Sequence, residues 1–552
     1  MSSRWPLAAG IAATVVLFYL PLGWFFGRVV TEGVSVAQLL EILGSRTTRH
    51  TLLFTTGQAA LSAAVSVLFA LPGAYLVSHY SFRFRRTLLS ISLVPFVLPS
   101  IIVVICMISF YGKRGLLNTL LGTDWNLIYN FGGILIAHVF YNVSLALRVI
   151  AEGWQRIDRR HIEAATSLGD SCFRAFRKVT LPLLSPSLVT AFGLVFIYCF
   201  LSFGIVLVFG GVQYATLEVQ IYKEMFVKLD LFAAGVYAGL QLLVSVVFLG
   251  LASRAVVRTQ VSARGGARTG ERSISEASPT ERWLLRGYTG VLLVFLLGPI
   301  LGVVGRAVTS GGGLSLESFQ LLFRPDLADR DIVGVIRSTV PEVIGTSVGI
   351  ALFSGTLTFL LAVALALYLR GKPSTKSDSY FQLPLGVSVV TVAIGLRMLF
   401  GPLLPAFAVI VIGHLFITFP LVFRLVRTTV EQLPQSYVES AQSLGARRVG
   451  VLRDVIAPVL SRGLLNAYAY SLAIPFADFT MVLSSSQGAV TTFPVAIYRL
   501  IGFRSFDLAL ALGVIYMALC FGLFLWIDRT SYRTSPGGAR AAETVAKGPN
   551  GS

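Results

Sequence analysis

Charged side chains are scarce in this sequence, at 13% of its residues, where a soluble globular domain carries roughly 25%. That shortfall argues against an ordinary soluble fold. Cysteine is nearly absent. Cys106, Cys172, Cys199 and Cys520 form no CxxC pair, and three of them sit in apolar blocks; the pattern is that of small core residues, not of a disulfide or thiolate metal framework. There is no His/Asp/Glu cluster with metal-ligand spacing and no nucleophile–base pair in a polar loop. A phosphate-binding loop is missing too. Gly371-Lys372 is followed by Pro373 and lacks the upstream glycine spacing, so ATP hydrolysis by the usual backbone cradle is excluded for this chain. No cofactor is expected in it.

What fills the sequence instead is apolar: 55% hydrophobic residues and a mean hydropathy of +0.77. Long runs such as Leu7 to Phe26, Gly345 to Leu369 and Leu508 to Ile527 approach or exceed the roughly 20 residues that cross a bilayer as a helix. A helix is the natural spanning form because it satisfies its own backbone in lipid. Arg4 and the run after it read as a retained first helix, since the run is too long for a signal peptide. Twelve spans are expected, near 7–27, 52–78, 88–110, 131–151, 188–209, 232–256, 284–304, 345–369, 381–400, 403–426, 463–483 and 508–528. Between 380 and 426 only Gly401-Pro402 separates two apolar blocks.

Basic residues gather on alternate loops: Arg83, Arg85 and Arg86; Arg156, Arg159, Arg160, Arg174, Arg177 and Lys178; then Arg254 to Arg286. The formal charge of +19 is therefore read as the excess of Lys and Arg on cytoplasmic loops, with no nucleic-acid partner expected. Both termini are placed in the cytoplasm. The predicted organisation is a first half at 1–257, a flexible linker at 258–281, a second half at 282–531 and a tail at 532–552.

The two halves repeat one another. IAHVFYNVSLALRVIAEGWQRIDRRHIEAATSLG from Ile136 aligns without gaps with IGHLFITFPLVFRLVRTTVEQLPQSYVESAQSLG from Ile412, an offset of 276. His138 meets His414, Arg148 meets Arg424, Gly169 meets Gly445, Pro182 meets Pro458, and beyond a further span Tyr222 meets Tyr498. Shared hydrophobicity alone does not match such residues. With an even number of spans per half the repeat is parallel, which predicts an axis along the membrane normal and a pathway between the halves.

Inside the repeat lies a polar segment. Glu163-Ala164-Ala165-Thr166-Ser167-Leu168-Gly169 in the first copy answers Glu439-Ser440-Ala441-Gln442-Ser443-Leu444-Gly445 in the second. The order predicts a short helix, with glutamate in its first turn at the positive end of the dipole. A left-handed glycine stops it, and proline opens the next span.

This arrangement, about 156–182 and 432–458, resembles the EAA loop of binding-protein-dependent ATP-binding-cassette (ABC) transporter permeases. The resemblance implies an all-α polytopic membrane protein of the type I ABC importer permease kind, with about twelve helices in two homologous six-helix halves. It implies a bacterial inner-membrane location. It makes Glu163, Ala164, Ala165, Gly169, Glu439, Ser440, Ala441 and Gly445 the coupling contacts to two copies of a cytoplasmic ATPase, which would hold the ATP and magnesium. It also implies an extracytoplasmic solute-binding protein. Ser440, Leu452 and Ala457 depart mildly from the family pattern.

Fused twelve-helix chains of this kind look like the thiamine and ferric-iron branch. Tyr111 to Asn118 resembles an outer segment common there, and Ser202 to Leu207 with Thr216 to Tyr222 looks closer to thiamine permeases. Thiamine or a related small organic cation, or ferric iron, is the expected substrate. Ser202 and Asp478 are the candidate pathway residues, because an intramembrane acid usually faces an interior or a water-filled cavity. His138 and His414 are expected to bond between helices. Arg148 and Arg424 are expected to snorkel to the interface. The rival reading is a secondary transporter driven by an ion gradient, which shares the parallel architecture but leaves the paired polar segments without a purpose.

Overall fold

The computed structural model describes residues 19–33, 35–211, 213–260, 272–310, 313–324, 330–370, 387–446 and 450–532. Residues 261–271 of the linker, the tail after Tyr532 and the starts of the expected first and ninth spans lie outside the described residues.

The fold is all-α. In the first half the main helices are α1 (Leu20–Thr31), α2 (Arg46–His79), α3 (Arg85–Val97), α4 (Ser100–Tyr111), α5 (Phe131–Gln155), α6 (Arg159–Ser167), α7 (Leu181–Phe200), α8 (Gly204–Phe209), α9 (Leu217–Phe226) and α10 (Leu231–Gln260). The second half adds α11 (Pro279–Ala307), α12 (Val340–Tyr368), α13 (Val389–Phe400), α14 (Ala406–Glu431), α15 (Gln435–Ser443), α16 (Ala457–Ala477), α17 (Thr480–Ser486), α18 (Phe493–Gly502) and α19 (Phe506–Tyr532). Helix starts follow local chemistry. Ser45 Oγ accepts from the Thr48 N–H at 3.0 Å to open α2. Ser278 does the same for α11, with Pro279 at the first helical position, where its missing N–H costs nothing.

Among the described residues nine helices are long and apolar enough to cross a membrane. They include the counterparts of nine of the expected twelve spans. The eleventh is a 21-residue helix, α16, that carries Arg462, Asn466 and two tyrosines. Three expected spans are broken rather than continuous, the one at 463–483 stopping at Ala477 and resuming as α17. The block at 88–110 divides into α3 and α4 at Leu98-Pro99, because the residue before a proline is pushed to extended backbone. The block at 188–209 stops at Phe200 and resumes as α8.

In lipid, helices associate by close packing and polar contacts, since the surrounding tails are as apolar as leucine. α2 shows this plainly. Thr48, Thr51, Thr55, Gln58, Ser62 and Ser66 recur at helical spacing and all are buried, while Leu53, Leu61 and Leu68 of the same helix are exposed. The polar stripe of α2 faces α5 and α7. α12 repeats the stripe with buried Ser347, Ser354 and Thr358. It approaches α16 so closely that a Cβ on Gly355 would lie 2.6 Å from the Ser471 carbonyl.

Contacts group the helices into two compact units. One holds residues 32–319 with 506–514; the other holds α1, residues 320–505 and the remainder of α19. This partition cuts across the sequence halves. α11, from the second half, lies in the first unit against α2 and α4, where a Cβ on Gly298 would come within 2.8 Å of the Phe110 ring. α1, from the first half, packs in the second unit on α13, where a Cβ on Gly395 would strike the Pro21 carbonyl.

Candidate coupling helices and helix breaks

α6 and α15 are nine residues each, and both close in the same way. Leu168 and Leu444 end the helical run, and Gly169 and Gly445 follow with φ of +92° and +85°. The Asp170 N–H reaches back to the Ala165 carbonyl at 3.1 Å and the Gly169 N–H to Thr166 at 3.0 Å; Ala446 and Gly445 repeat the pair on Ala441 and Gln442, both at 3.0 Å. These are the two bonds of a Schellman stop, which needs a residue at ease with positive φ.

The start of each helix differs from the expectation. Glu163 and Glu439 lie in the second turn, not the first, because α6 and α15 begin four residues earlier. The N-terminal position goes to Asp158, whose carboxylate accepts from the Arg160 N–H at 2.9 Å, and to Pro434 in the second copy. The dipole argument therefore belongs to Asp158. Glu163, Ala164, Glu439 and Ser440 are exposed, whereas Ala165 and Ala441 are half-buried against the turn that follows. That turn is π-helical in both copies, at Phe176–Thr180 and Val451–Ile456. In the first, the Leu181 N–H bonds five residues back to Phe176, just ahead of Pro182, which has no N–H to give. The most exposed apolar side chains of the whole segment are Leu168 at 90% and Leu444 at 89%.

The second recurring feature is a break. α7 ends at Phe200 and α8 begins at Gly204; α16 ends at Ala477 and α17 begins at Thr480. At the first break His138 Nε2 lies 2.9 Å from Ser202 Oγ, and its Nδ1 lies 3.2 Å from Ser62 Oγ on α2. At the second, His414 Nε2 lies 3.4 Å from Asp478 Oδ2, a close contact of unlike groups without hydrogen-bond alignment. The same carboxylate oxygen accepts from the Met481 N–H at 2.8 Å and so caps α17. His138 thus bonds between helices as expected, whereas His414 makes only a close contact with Asp478. Tyr222 and Tyr498 also belong here: each ring packs at 5.3 Å on the phenyl ring of its break residue, Phe203 or Phe479. The return path is tied alike in both copies. The Leu217 N–H donates to Thr55 Oγ1, and the Phe493 N–H to Ser347 Oγ, each at 3.0 Å. Arg148 does more than snorkel, since its guanidinium donates to the Leu89 carbonyl of α3 at 2.8 Å.

Two stretches of the chain, residues 65–262 and 332–535, match the family described as binding-protein-dependent transport system inner membrane component. The chain belongs to this family. It is 28% identical over 498 residues to the thiamine transport system permease protein ThiP of Haemophilus influenzae, covering 87% of this chain and 88% of that one. It is 27% identical over 503 residues to the ThiP protein of Escherichia coli K12, covering 87% and 88%. A probable sulfate transport system permease protein of Helicosporidium is 24% identical over 202 residues, 36% of this chain.

As a permease of this family the chain is a multi-pass membrane protein. Both candidate coupling helices and both breaks fall inside the matched stretches, one set in each. The two helices that trade units, α1 and α11, fall outside them. Among the described residues no group of three or more His, Cys, Asp or Glu is placed to hold a metal ion. Sequence reasoning missed Leu168 and Leu444. Their signal was a lone leucine kept at constant offset between polar residues and a glycine.

Proposed function

We propose that this permease imports thiamine or a closely related small organic cation, driven by ATP hydrolysis on two separate ATPase subunits that take α6 and α15 as their docking elements. The observation that carries the reading is the pair of identically stopped helices, each presenting one bare leucine beside an exposed glutamate. An apolar knob on a rigid, capped helix is what a groove on a partner can grip, and such anchors dominate interface energetics. The positive loops orient both termini and both coupling helices to the cytoplasm, and a binding protein delivers substrate on the other side.

Discontinuous helices expose backbone carbonyls and side chains where a continuous helix would hide them, and transporters place substrate groups at such breaks. Ser202 and Asp478 occupy the two breaks here. A carboxylate near the Phe479 and Tyr498 rings offers charge and aromatic faces, the chemistry that receives an organic cation. The named relatives support thiamine over iron. The chain's own residues perform no ATP chemistry in this scheme; they transmit the closure of the ATPases to the helices.

Two experiments test the scheme. Glu163→Arg combined with Glu439→Arg is expected to abolish uptake and reduce ATPase co-purification while membrane insertion stays normal; normal uptake would sink the coupling assignment. Uptake of labelled thiamine and labelled ferric iron, in cells with and without the gene, tests the substrate. Loss of thiamine uptake alone is expected, and loss of iron uptake alone would overturn that part.

A further inference from the structure

The inner end of the first unit carries a cluster whose rings are not kept at the matching described positions of the second copy. Glu281, the last residue of the expected linker, sits in the first turn of α11. Its Oε1 accepts from two tyrosines at once, Tyr75 and Tyr80 at the end of α2, each at 2.8 Å. Tyr75 packs on His79 at 4.4 Å between ring centroids, and both rings reach Trp154 near the end of α5, at 5.5 and 5.4 Å. Trp154 in turn lies 6.3 Å from Phe176, the first residue of the π-turn behind the coupling helix. The end of the linker is fastened to the same place. Tyr80-Ser81 pairs with Arg272-Ser273 as a short parallel ladder, and Arg282 donates to the Ser275 and Ala277 carbonyls. A line of side-chain contacts thus runs from the linker exit to Phe176 in the π-turn, which packs against α6.

The repeat replaces these groups with small or aliphatic ones. Val430 stands at the place of Trp154 and Leu452 at that of Phe176, by the offset of 276; Leu367 stands at that of Tyr75, by the offset that matches Thr55 to Ser347. In their stead Arg370, at the end of α12, donates to the Leu433 carbonyl at 3.2 Å, just before α15. Two hydrogen bonds converging on one carboxylate and backed by four packed rings fix the end of α2 at several points, where the described Arg370–Leu433 bond fixes the end of α12 at one.

We propose that Tyr75, Tyr80 and Glu281 form a brace that holds the first coupling helix in its docking pose, so that the end of the linker is tied to that helix. The proposal rests on the coupling reading given above. Glu281 and the tyrosines are positioning residues; they act through Trp154 and Phe176. A slack brace lets the ATPases close without moving the helices, which raises the ATP consumed per substrate imported.

The test uses the full complex of permease, ATPase and binding protein in liposomes, with labelled thiamine. Tyr75→Phe with Tyr80→Phe removes only two hydroxyls and keeps the ring packing, so folding is expected to survive. Glu281→Ala removes the acceptor. Glu281→Gln keeps an oxygen with two lone pairs for both hydroxyls. The Phe pair and Glu281→Ala are expected to raise ATP per thiamine about fivefold, the scale of one lost hydrogen bond, with the ATPase's KM for ATP unchanged. Glu281→Gln is expected to stay near the parent. An unchanged ratio in the inserted Phe pair overturns the brace, and so does a Gln variant as uncoupled as the Ala variant. The Glu163→Arg, Glu439→Arg control separates the two ideas: if that control transports normally the coupling reading fails, and if only the brace variants behave as the parent the brace alone fails.

Discussion

At the residue scale the histidine pairs show how one position is reused with different chemistry. His138 meets a hydroxyl and His414 meets a carboxylate, at matching places on matching helices. The recurrence of the histidines was legible in the sequence, and so was the bonding of His138 between helices, because polar side chains inside spans seek partners on neighbouring helices. Which partner each would find was not, because the breaks that bring Ser202 and Asp478 into reach leave no proline or glycine pair at the break itself. Asp478→Asn keeps an oxygen to cap α17 but loses the charge. It is expected to leave insertion intact and to lower the initial rate of thiamine uptake about tenfold, the scale of one charge-assisted contact; radiolabel uptake in cells checks it. His138→Ala strands the Ser62 and Ser202 hydroxyls together, so it is expected to cost about 1–3 kcal/mol. Ser202→Ala is expected to cost less. Thermal unfolding in detergent ranks the two.

At the element scale the candidate coupling helix was legible at its end and not at its beginning. Glycine after a helical run is a stop with a steric reason, and both glycines do adopt positive φ. The start lay hidden in Arg-Ile-Asp-Arg-Arg, where Asp158 is the cap but the surrounding arginines read only as loop charge. The π-turns were likewise invisible, since a proline near the start of a span is consistent with several local geometries. Leu168→Asp together with Leu444→Asp tests the elements directly. Both side chains are exposed, so stability is expected to shift by no more than about 0.5 kcal/mol. ATPase retention on purification is expected to fall sharply, by about thirtyfold in affinity for a hot-spot loss near 2 kcal/mol per site. Titration of the purified ATPase onto the membrane subunit measures it. Gly169→Val, which forces a β-branched residue into the left-handed region, is expected to weaken the same association.

At the scale of the whole molecule, the helical class, most of the spans and the duplication were legible from hydropathy and offset. The exchange of α1 and α11 between the units was not. A span carries a clear signal that it enters lipid but almost none about which helix it will lie against, because the packing surfaces are small residues such as Gly298 and Gly395 rather than a hydrophobic stripe. The charge pattern makes a topological prediction. In a background lacking Cys172, Ser443→Cys is expected to react with a membrane-impermeant thiol reagent only from the cytoplasmic side, and Asp124→Cys only from the opposite side. The reverse labelling would invert the orientation.

That exchange also has a consequence in time. α1 is synthesised first, yet its packing partner α13 begins only at Val389, more than 350 residues after Thr31. At roughly 5–20 residues per second, the ribosome needs on the order of tens of seconds to supply it. Through that interval α1 stands in the bilayer without its final neighbour, shielded only by lipid or by whatever insertion machinery attends the nascent chain. Ribosomal pausing or truncation upstream of residue 389 would therefore leave an orphaned anchor, a natural handle for membrane quality control.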